Sequence, residues 1–248
     1  EPLPVFAFLP IAPANLAFVL HADWILASSR ETVREDSAWN QWLRSEAASL
    51  YVDALRAVQA GAGQALDGFG VARVLDALPV EHEVVGFFRP LAADIARRVR
   101  GVPCVLAADG SWVLPSKALA VPERLRIDPS SQLAAEFARL DLWPLDAGFQ
   151  LRLRPQTLAA LGVEELDASH ALKLGKALAA AGRLTPALFR QWAVLLYRAA
   201  GKRGGLSRAS KAELQGLSVI PLAGGGLGCV DDARRVLPDP ARREELAP

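Results

Sequence analysis

The chain has 248 residues but contains no methionine, two cysteines and three histidines. Because the first residue is Glu1 and methionine is absent, we interpret the sequence as a piece of a longer protein. Cys104 and Cys229 are too few for a disulfide framework, and the histidines are too far apart for a local metal-ligand spacing. The sequence therefore predicts no metal site.

The chain also lacks an excess of charge of either sign. Lys plus Arg is 28 and Asp plus Glu is 27, so the formal net charge is +1. Such a balance creates no field that attracts a phosphate backbone or anionic lipid. No apolar run reaches the roughly 18 residues that a membrane helix needs, and no basic segment leads into a hydrophobic one at the N-terminus. We expect neither a nucleic-acid nor a membrane partner, and we expect a cytoplasmic location.

The residues present favour a mixed α/β (α+β) fold. With 52% apolar and 22% charged residues, the chain can bury a sizeable core. Apolar, β-branched runs predict strands at 4–11 and 16–27, and Asp36 or Ser37 is placed to cap a helix that ends at Gly61 or Gly63. The predicted buried face of that helix is Trp39, Leu43, Leu50, Ala54 and Val58, and Trp42, Trp112 and Trp192 are further expected core anchors.

Helical spacing continues along the rest of the chain. It predicts helices near 64–78, 90–100, 130–140, 155–161, 168–181, 186–200 and 208–214. Two similar segments follow groups of helices, and each predicts a β-hairpin, at 103–114 with Asp109-Gly110 as a two-residue turn and at 217–230 with a Gly-rich turn. We therefore predict three segments: a β segment at 1–36, a helical unit at 37–125 and a second helical unit at 126–248. An internal duplication is an open alternative to chance similarity.

The densest polar cluster lies where the second predicted strand gives way to the first helix. It runs from Ser28 to Asp36 and includes two arginines, Arg30 and Arg34. An arginine at such a junction can present a planar fork to phosphate oxygens. Alternatively, the arginines pair with Glu31 and Glu35 in a solvated ion-pair cluster worth a few tenths of a kcal/mol per pair.

Two stretches carry a resemblance to a known family. Val5 to Pro10, Phe18 to Leu26 and the following Ser28-Ser29-Arg30-Glu31 resemble the segment directly after the ATPase domain of sacsin-like and NO VEIN-like proteins. These proteins carry an ATPase domain of the GHKL type, shared with the ninety-kilodalton heat-shock chaperones. The segment 103–116 is similar to that family's recurring hairpin. The resemblance implies a middle or transducer segment whose N-terminal strands complete a middle-domain-like sheet.

The resemblance also implies a site. Ser29-Arg30-Glu31 is similar to the chaperones' Ser-Arg-Glu, whose arginine reaches the γ-phosphate of ATP in the preceding domain. By this match Arg30 is the catalytic candidate, and Ser29 and Glu31 position it at the cofactor. The chaperones have a glutamine where this chain has Arg34, so Arg34 is a fourth, divergent cofactor-binding candidate.

The cofactor itself is expected elsewhere. The chain has no Asn-box helix, no Asp-x-Gly-x-Gly and no Gly-x-x-x-x-Gly-Lys, so we expect it to bind no cofactor alone and ATP with Mg to bind the full-length protein. The implied partners are the N-terminal GHKL ATPase domain of the same polypeptide and a client protein. The alternative is a plain protein–protein interaction module beside a degenerate ATPase domain, in which Arg30 makes only an ion pair.

Overall fold

The computed structural model describes residues 3–61, 69–201, 206–221 and 227–229. N-terminal strands are followed by helices and small sheets, which confirms the predicted mixed α/β class. None of the helices in these ranges combines the length and apolar composition that a bilayer crossing requires. The elements in chain order are β1 (Leu3–Ala7), β2 (Leu9–Leu16), β3 (Leu20–His21), α1 (Ala38–Gln59), α2 (Phe69–Asp76), α3 (Arg89–Val99), β4 (Val105–Leu106), β5 (Trp112–Val113), β6 (Ala118–Ala120), α4 (Gln132–Arg139), β7 (Trp143–Pro144), α5 (Ala147–Gln150), α6 (Pro155–Leu161), β8 (Glu164–Glu165), α7 (Ala168–Ala180), α8 (Pro186–Ala200), α9 (Arg208–Gln215), β9 (Ile220–Pro221) and β10 (Leu227–Gly228).

The chain packs as two compact units whose sequences interleave. The first unit comprises Glu1–Ala120 and Trp143–Glu164, and the second comprises Val121–Leu142 and Glu165–Pro248. These boundaries differ from the three consecutive segments predicted at 1–36, 37–125 and 126–248. The division into three segments stays a prediction.

The N-terminal sheet of the first unit has the strand order β2-β1-β3. β1 pairs antiparallel with β2 and parallel with β3. Pro10 lies in β2, where proline is tolerated because β2 is an edge strand. The single strand predicted at 16–27 is wrong, because Leu16 ends β2, residues 17–19 lie in no strand and β3 comprises only Leu20–His21. Beyond His21 the chain turns, and the Trp24 N–H donates to the nearby Ala22 carbonyl (2.9 Å) instead of to a neighbouring strand.

Helix α1 begins as predicted but buries a partly different face, because Leu43 and Val58 of the predicted face do pack, half-buried, against the core. The Ser37 hydroxyl caps it by accepting from the Asn40 N–H. The buried residues are Asn40, Ala48, Tyr51, Val52 and Leu55. Trp39 is 47% exposed and Trp42 51% exposed, so the prediction that they anchor the core is wrong, as it is for the exposed Leu50 and Ala54. The spacing of apolar residues did not identify the buried face correctly, because this helix has aromatic and aliphatic residues on more than one side.

The first predicted hairpin is present, with a longer turn than expected. β4 and β5 pair antiparallel, and the loop 108–110 is closed by a hydrogen bond from the Ala107 N–H to the Ser111 carbonyl (2.9 Å). The loop has three residues instead of two because Gly110 adopts a left-handed conformation (φ 87°) after a turn that begins at Ala107. We call residues 105–113 the Gly110 hairpin.

The Gly110 hairpin is hydrogen-bonded to a later segment of the same unit, at residues 144–146. The Ala108 N–H donates to the Pro144 carbonyl (2.8 Å), and the Asp146 N–H donates to the Leu106 carbonyl (3.0 Å). β7 also pairs parallel with β6. Backbone hydrogen bonds to Pro144 and Asp146 therefore hold this hairpin where β4 leads into its turn.

The second unit has a helical core in which α7 and α8 approach closely. The Trp192 indole N–H donates to the Ala171 carbonyl (2.7 Å), and a Cβ added to Gly175 would lie 2.5 Å from the Trp192 ring. Trp192 is buried, as predicted. The buried carboxylate of Glu136 on α4 pairs with Arg139 and with Arg183, whose Nη2 lies 3.2 Å from Oε2.

The second predicted hairpin is described only in its strands. β9 and β10 pair antiparallel, and Val219 before β9 is buried. The Gly-rich turn of this hairpin at 222–226, the predicted connection at 202–205 and the start of the helix predicted at 64–78 lie outside the described residues. The proposed duplication stays a prediction.

Candidate functional site

The segment that carries Arg30 is itself a short β-hairpin. Leu26 and Val33 form an antiparallel bridge, and the Ala27 N–H donates to the Thr32 carbonyl (2.9 Å). A strand that passes directly into a helix was therefore the wrong prediction for this junction. We call residues 25–34 the Arg30 hairpin.

The turn of this hairpin places Arg30 at the surface, as expected. The Arg30 N–H donates to the Ala27 carbonyl (2.9 Å), and Arg30 has a left-handed backbone conformation (φ 61°). The Ser29 hydroxyl accepts from the Glu31 N–H (3.4 Å). Ser29, Arg30 and Glu31 are all exposed. A left-handed conformation costs roughly 1–2 kcal/mol for a residue with a Cβ, so the turn holds Arg30 in a strained position.

Asn40 fastens the base of the Arg30 hairpin to helix α1. Its Oδ1 accepts from the Ile25 N–H (2.9 Å), and its Nδ2 donates to the carbonyls of Ile25 (2.7 Å) and Arg34 (2.8 Å). The side chain is fully buried. Both ends of the hairpin are thus bonded to one side chain in the first turn of α1.

Neighbouring side chains of α1 add to this attachment. The Trp39 indole N–H donates to the Asp23 carbonyl (3.0 Å), and the Gln41 amide donates to the Glu35 carbonyl (3.0 Å). The sequence reasoning did not assign Asn40 a role. The sequence did contain one signal, because Asn40 lies three residues after the Ser37 cap. A glutamate or glutamine at this position ordinarily bonds back to the backbone N–H of the cap residue. The shorter amide of asparagine can instead bond to another segment.

Arg34 does not join Arg30. Its guanidinium binds both carboxylate oxygens of Asp36, with Nε–Oδ1 3.3 Å and Nη2–Oδ2 3.2 Å. The hydrogen bond and charge of Arg34 lower the pKa of Asp36, and Asp36 raises that of Arg34. The alternative of a four-residue ion-pair cluster is wrong, because among the described residues neither Glu31 nor Glu35 pairs with either arginine.

Arg30 borders an open groove of about 770 Å³. Ser28 and Arg30 line one part of it, and Phe8 and Leu9, from the junction of β1 and β2, line another. Phe8 is 81% exposed and Leu9 is 75% exposed. We call this feature the Arg30 groove; of the four site candidates it contains Arg30 but not Ser29, Glu31 or Arg34.

Two further features of the groove are unusual for a passive surface. Phe8, like Arg30, has a positive φ (63°), and its N–H donates to His21 Nε2 (3.3 Å). Trp24 also lines the groove, and its buried indole N–H has no acceptor among the described residues. Strained backbone at a bulky residue clusters at functional sites, and the Trp24 N–H is free to donate to a water or a ligand.

Among the described residues, the groove is lined by one cationic side chain, Arg30, and by one acidic side chain, Asp23. In the part of the chain that the structure describes, the Arg30 guanidinium makes no ion pair or hydrogen bond. It is exposed and mounted on a turn whose base is fixed by buried hydrogen bonds. Such a group can bind a phosphate or carboxylate in a bidentate manner.

The remaining chemistry-bearing residues have structural surroundings. Burial raises the pKa of the Cys104 thiol to about 12. Asp167 caps α7 and accepts hydrogen bonds from Ser169 and His170, which lower its pKa against the opposing effect of burial. No group of three or more His, Cys, Asp or Glu side chains suited to a metal ion occurs within the described ranges.

The chain is similar to a large plant protein. Protein NO VEIN of Arabidopsis thaliana is 32% identical over a 243-residue alignment, which covers 92% of this chain and 9% of that protein. This similarity supports a NO VEIN-like protein. No protein-family model matches the chain. No solved structure matches it significantly. Since the chain spans about 9% of its relative's length, the activity, substrates and partners of the whole protein are matters for proposal.

Proposed function

We propose that this chain is a non-catalytic middle or transducer segment of a NO VEIN-like, sacsin-like GHKL ATPase with a chaperone-like role. In this proposal the Arg30 hairpin supplies its guanidinium to the ATP site of a preceding domain of the same polypeptide. The surfaces of the chain bind that domain and a client protein. The observation that carries the proposal is the exposed Arg30, unpaired within the described residues, on a strained and firmly anchored turn.

The contrast between the two arginines supports this assignment. Arg34 is engaged by Asp36 in its own chain, whereas Arg30 has no such partner among the described residues. A guanidinium that must stabilise charge on another domain's ligand has to be free of strong local partners. Arg30 meets this requirement, and Arg34 would first have to leave Asp36.

The residues present fit one end of a nucleotide, not the whole of it. Arg30 can bind phosphate oxygens, and the Ser29 hydroxyl, which accepts from the Glu31 N–H, still has its own proton to donate to one. ATP with Mg would supply the phosphoryl group to be transferred. The role of this chain is to hold a preorganised positive charge where negative charge develops during transfer.

A second candidate function is a plain protein–protein interaction module. The exposed rings of Trp39 and Trp42 lie 5.0 Å apart, and Phe8 and Leu9 are exposed at the groove. Aromatic residues are enriched at protein interfaces. In this alternative, Arg30 contacts an acidic group of a partner and the neighbouring ATPase domain is inactive.

The two functions are separated by steady-state ATPase assays of the full-length protein. We expect Arg30→Ala to lower the turnover rate by roughly 10- to 1000-fold, as does the loss of a preorganised group that stabilises transition-state charge. The affinity for ATP should change little, because the binding pocket belongs to the other domain. Arg30→Lys should restore part of the rate, since the charge returns without the planar fork.

Arg34→Ala is the matched control. It removes a guanidinium from the same hairpin, but one already bound to Asp36, so its effect on turnover should be milder. Thermal melts establish that each variant is folded. Unchanged turnover in a folded Arg30→Ala protein would contradict the transducer role and favour the interaction module.

The isolated chain gives a complementary test. Titration calorimetry with Mg-ATP should show no saturable binding, since the GHKL nucleotide motifs are absent from the sequence. Saturable micromolar binding that persists in Arg30→Ala would place nucleotide recognition in this chain and overturn the division of roles.

A further inference from the structure

A second cleft, of about 430 Å³, lies entirely within the second unit. Its apolar lining includes Leu125, Val194 and Leu195, and its charged lining includes Arg126, Arg190 and Arg198. We call this feature the basic cleft. The sequence reasoning did not notice it, because its arginines come from two segments that are far apart along the chain.

Helix geometry places two of the three arginines, Arg190 and Arg198, on one side of α8. Arg190, Val194 and Arg198 recur every four residues of α8 and therefore share a face. Eight residues of α-helix rise by about 12 Å, which separates the backbones of the two arginines and leaves exposed Val194 between them. Arg126 follows the buried Leu125 and lines the same cleft.

The charge of the cleft is not neutralised by the unit's own residues. Across the described ranges, Arg126, Arg190 and Arg198 have no side-chain hydrogen bond or ion pair. Among the described residues, the one carboxylate in the lining is that of Asp128, which accepts from the Ser130 N–H (2.9 Å) and hydroxyl (2.7 Å). Three guanidinium groups thus face one carboxylate that is already bonded, so the cleft has excess positive charge above an apolar floor.

We propose that the basic cleft binds an acidic peptide segment of a partner protein, with carboxylates on both sides of an apolar side chain. The carboxylates pair with Arg190 and Arg198, and the apolar side chain covers Val194, Leu195 and Leu125. An extended peptide rises by about 3.3 Å per residue, so carboxylates four residues apart span about the 12 Å between the arginines. Arginine suits such pairing because its fork binds a carboxylate through two hydrogen bonds.

An inorganic anion would use only part of this surface. Phosphate could bind the guanidinium groups, but it offers nothing to the apolar floor, whose removal from water contributes roughly 25 cal/mol per Å². A concave cleft likewise does not follow the flat surface of a bilayer. The combination of apolar floor and basic rim therefore favours a peptide over both.

Binding can be measured on the 248-residue chain by fluorescence polarisation. The probe is a fluorescein-labelled peptide, Glu-Glu-Leu-Asp-Leu-Leu-Glu-Glu. We expect a Kd of about 10–100 μM at low salt, weakening as salt screens the exposed charges. In one comparison peptide the acidic residues are replaced by their amides, and in a second the leucines are replaced by serine. Each should bind at least about tenfold more weakly than the acidic probe.

Variants test whether the peptide binds at this cleft. The double variant Arg190→Gln with Arg198→Gln should weaken binding by at least about tenfold. Lys173→Gln with Lys211→Gln is the matched control, because it removes two exposed positive charges of the same unit that do not line the cleft, and it should leave binding within about twofold. Arg190→Glu with Arg198→Glu should reverse the preference toward a peptide with lysine at the acidic positions.

Several results would overturn the proposal. Absence of binding at 1 mM chain, or equal binding by the Arg190/Arg198 variant and the lysine control, would exclude the cleft as the peptide site. Equal binding of the serine peptide would reduce the cleft to a simple anion site. Failure of the acidic peptide together with arginine-dependent binding to phosphatidylserine vesicles would assign the cleft to a membrane surface.

Discussion

The Arg30 hairpin and the Gly110 hairpin, both in the first unit, turn the chain in similar ways with different residues. Each has a residue with positive φ in its turn: Arg30 at 61° and Gly110 at 87°. Glycine is the ordinary choice there, because it has no Cβ to clash with the backbone. Gly110 adopts the positive φ without steric strain, whereas Arg30 adopts it at a cost in backbone strain.

The two hairpins also differ in how they are attached. Backbone groups of 144–146 hold the Gly110 hairpin, so single side-chain substitutions leave those bonds in place. The side chain of Asn40 holds the Arg30 hairpin through three hydrogen bonds. The hairpin with the candidate function is therefore attached through side chains, chiefly that of Asn40, whereas the other is attached through its backbone.

The largest expected effect concerns the base of the Gly110 hairpin. Cys104 is fully buried directly before β4, and burial raises the pKa of its thiol to about 12. Because the raised pKa favours the protonated form, we expect labelling by iodoacetamide at pH 8 to be about 1000-fold slower than in the urea-unfolded chain. Mass spectrometry of the Cys104 peptide measures this ratio. Labelling at the unfolded rate would show that the base of the hairpin opens readily.

The attachment of the Arg30 hairpin is tested by Asn40→Ala. This change leaves the Ile25 N–H and two carbonyls without their buried partner, so we expect the free energy of unfolding to fall by about 2–4 kcal/mol. Urea denaturation followed by tryptophan fluorescence measures the loss. The control is Gln41→Ala, which removes one exposed hydrogen bond at the next residue of the helix. This change should lower the free energy of unfolding by less than about 1 kcal/mol. Equal effects would mean that Asn40 is not the attachment.

Reciprocal substitutions in the two turns compare their backbone strain. Gly110→Ala adds a Cβ at positive φ in otherwise open space, and it should destabilise by about 1 kcal/mol. Arg30→Gly relieves strain but gives the unfolded chain more freedom, so stability should rise by between 0 and about 1 kcal/mol. Thermal melts at matched concentration compare the pair. Destabilisation by Arg30→Gly would indicate that the arginine contributes to folding instead of being strained for binding.

The smallest expected effect concerns the ion pair beside the Arg30 turn. Arg34 lowers the pKa of Asp36, so any stability from this pair is present above the ordinary Asp value near 4 and is lost as the pH falls through the lower folded value. Asp36→Asn should remove that pH dependence while leaving stability near pH 7 almost unchanged, since both groups are exposed. Melts between pH 2 and 7 for the two proteins make the comparison.

Local signals in the sequence predicted the elements that depend on local chemistry. Ser37 marked the start of α1, and Asp109-Gly110 marked a turn. The exposed Trp39 and Trp42 were predicted wrongly because periodicity cannot tell which of several apolar sides meets a core. The interleaving of the units was not predictable either, since the return of 143–164 to the first unit depends on non-local pairing such as Ala107 with Leu145.

The candidate site was predicted in part. Resemblance indicated Arg30, and its exposure agrees with that role. The contribution of Phe8, the unpaired indole of Trp24 and the attachment by Asn40 all involve residues that the fold brings to the hairpin from other elements. Residue types and spacing along the chain contain no information on such contacts.

The interleaved order of the chain has a practical consequence for dissecting the protein. A fragment that stops at Ala120 contains the Arg30 hairpin but lacks 143–146, which bond to the Gly110 hairpin, and lacks Arg154, which bonds to Asp76 at the end of α2 (3.0 Å). Cutting before Val121 would therefore leave unsatisfied polar groups in the half that carries the candidate site. Domain swaps and deletion mapping should keep residues 1–164 together, because loss of function in shorter versions would report misfolding instead of the location of an activity.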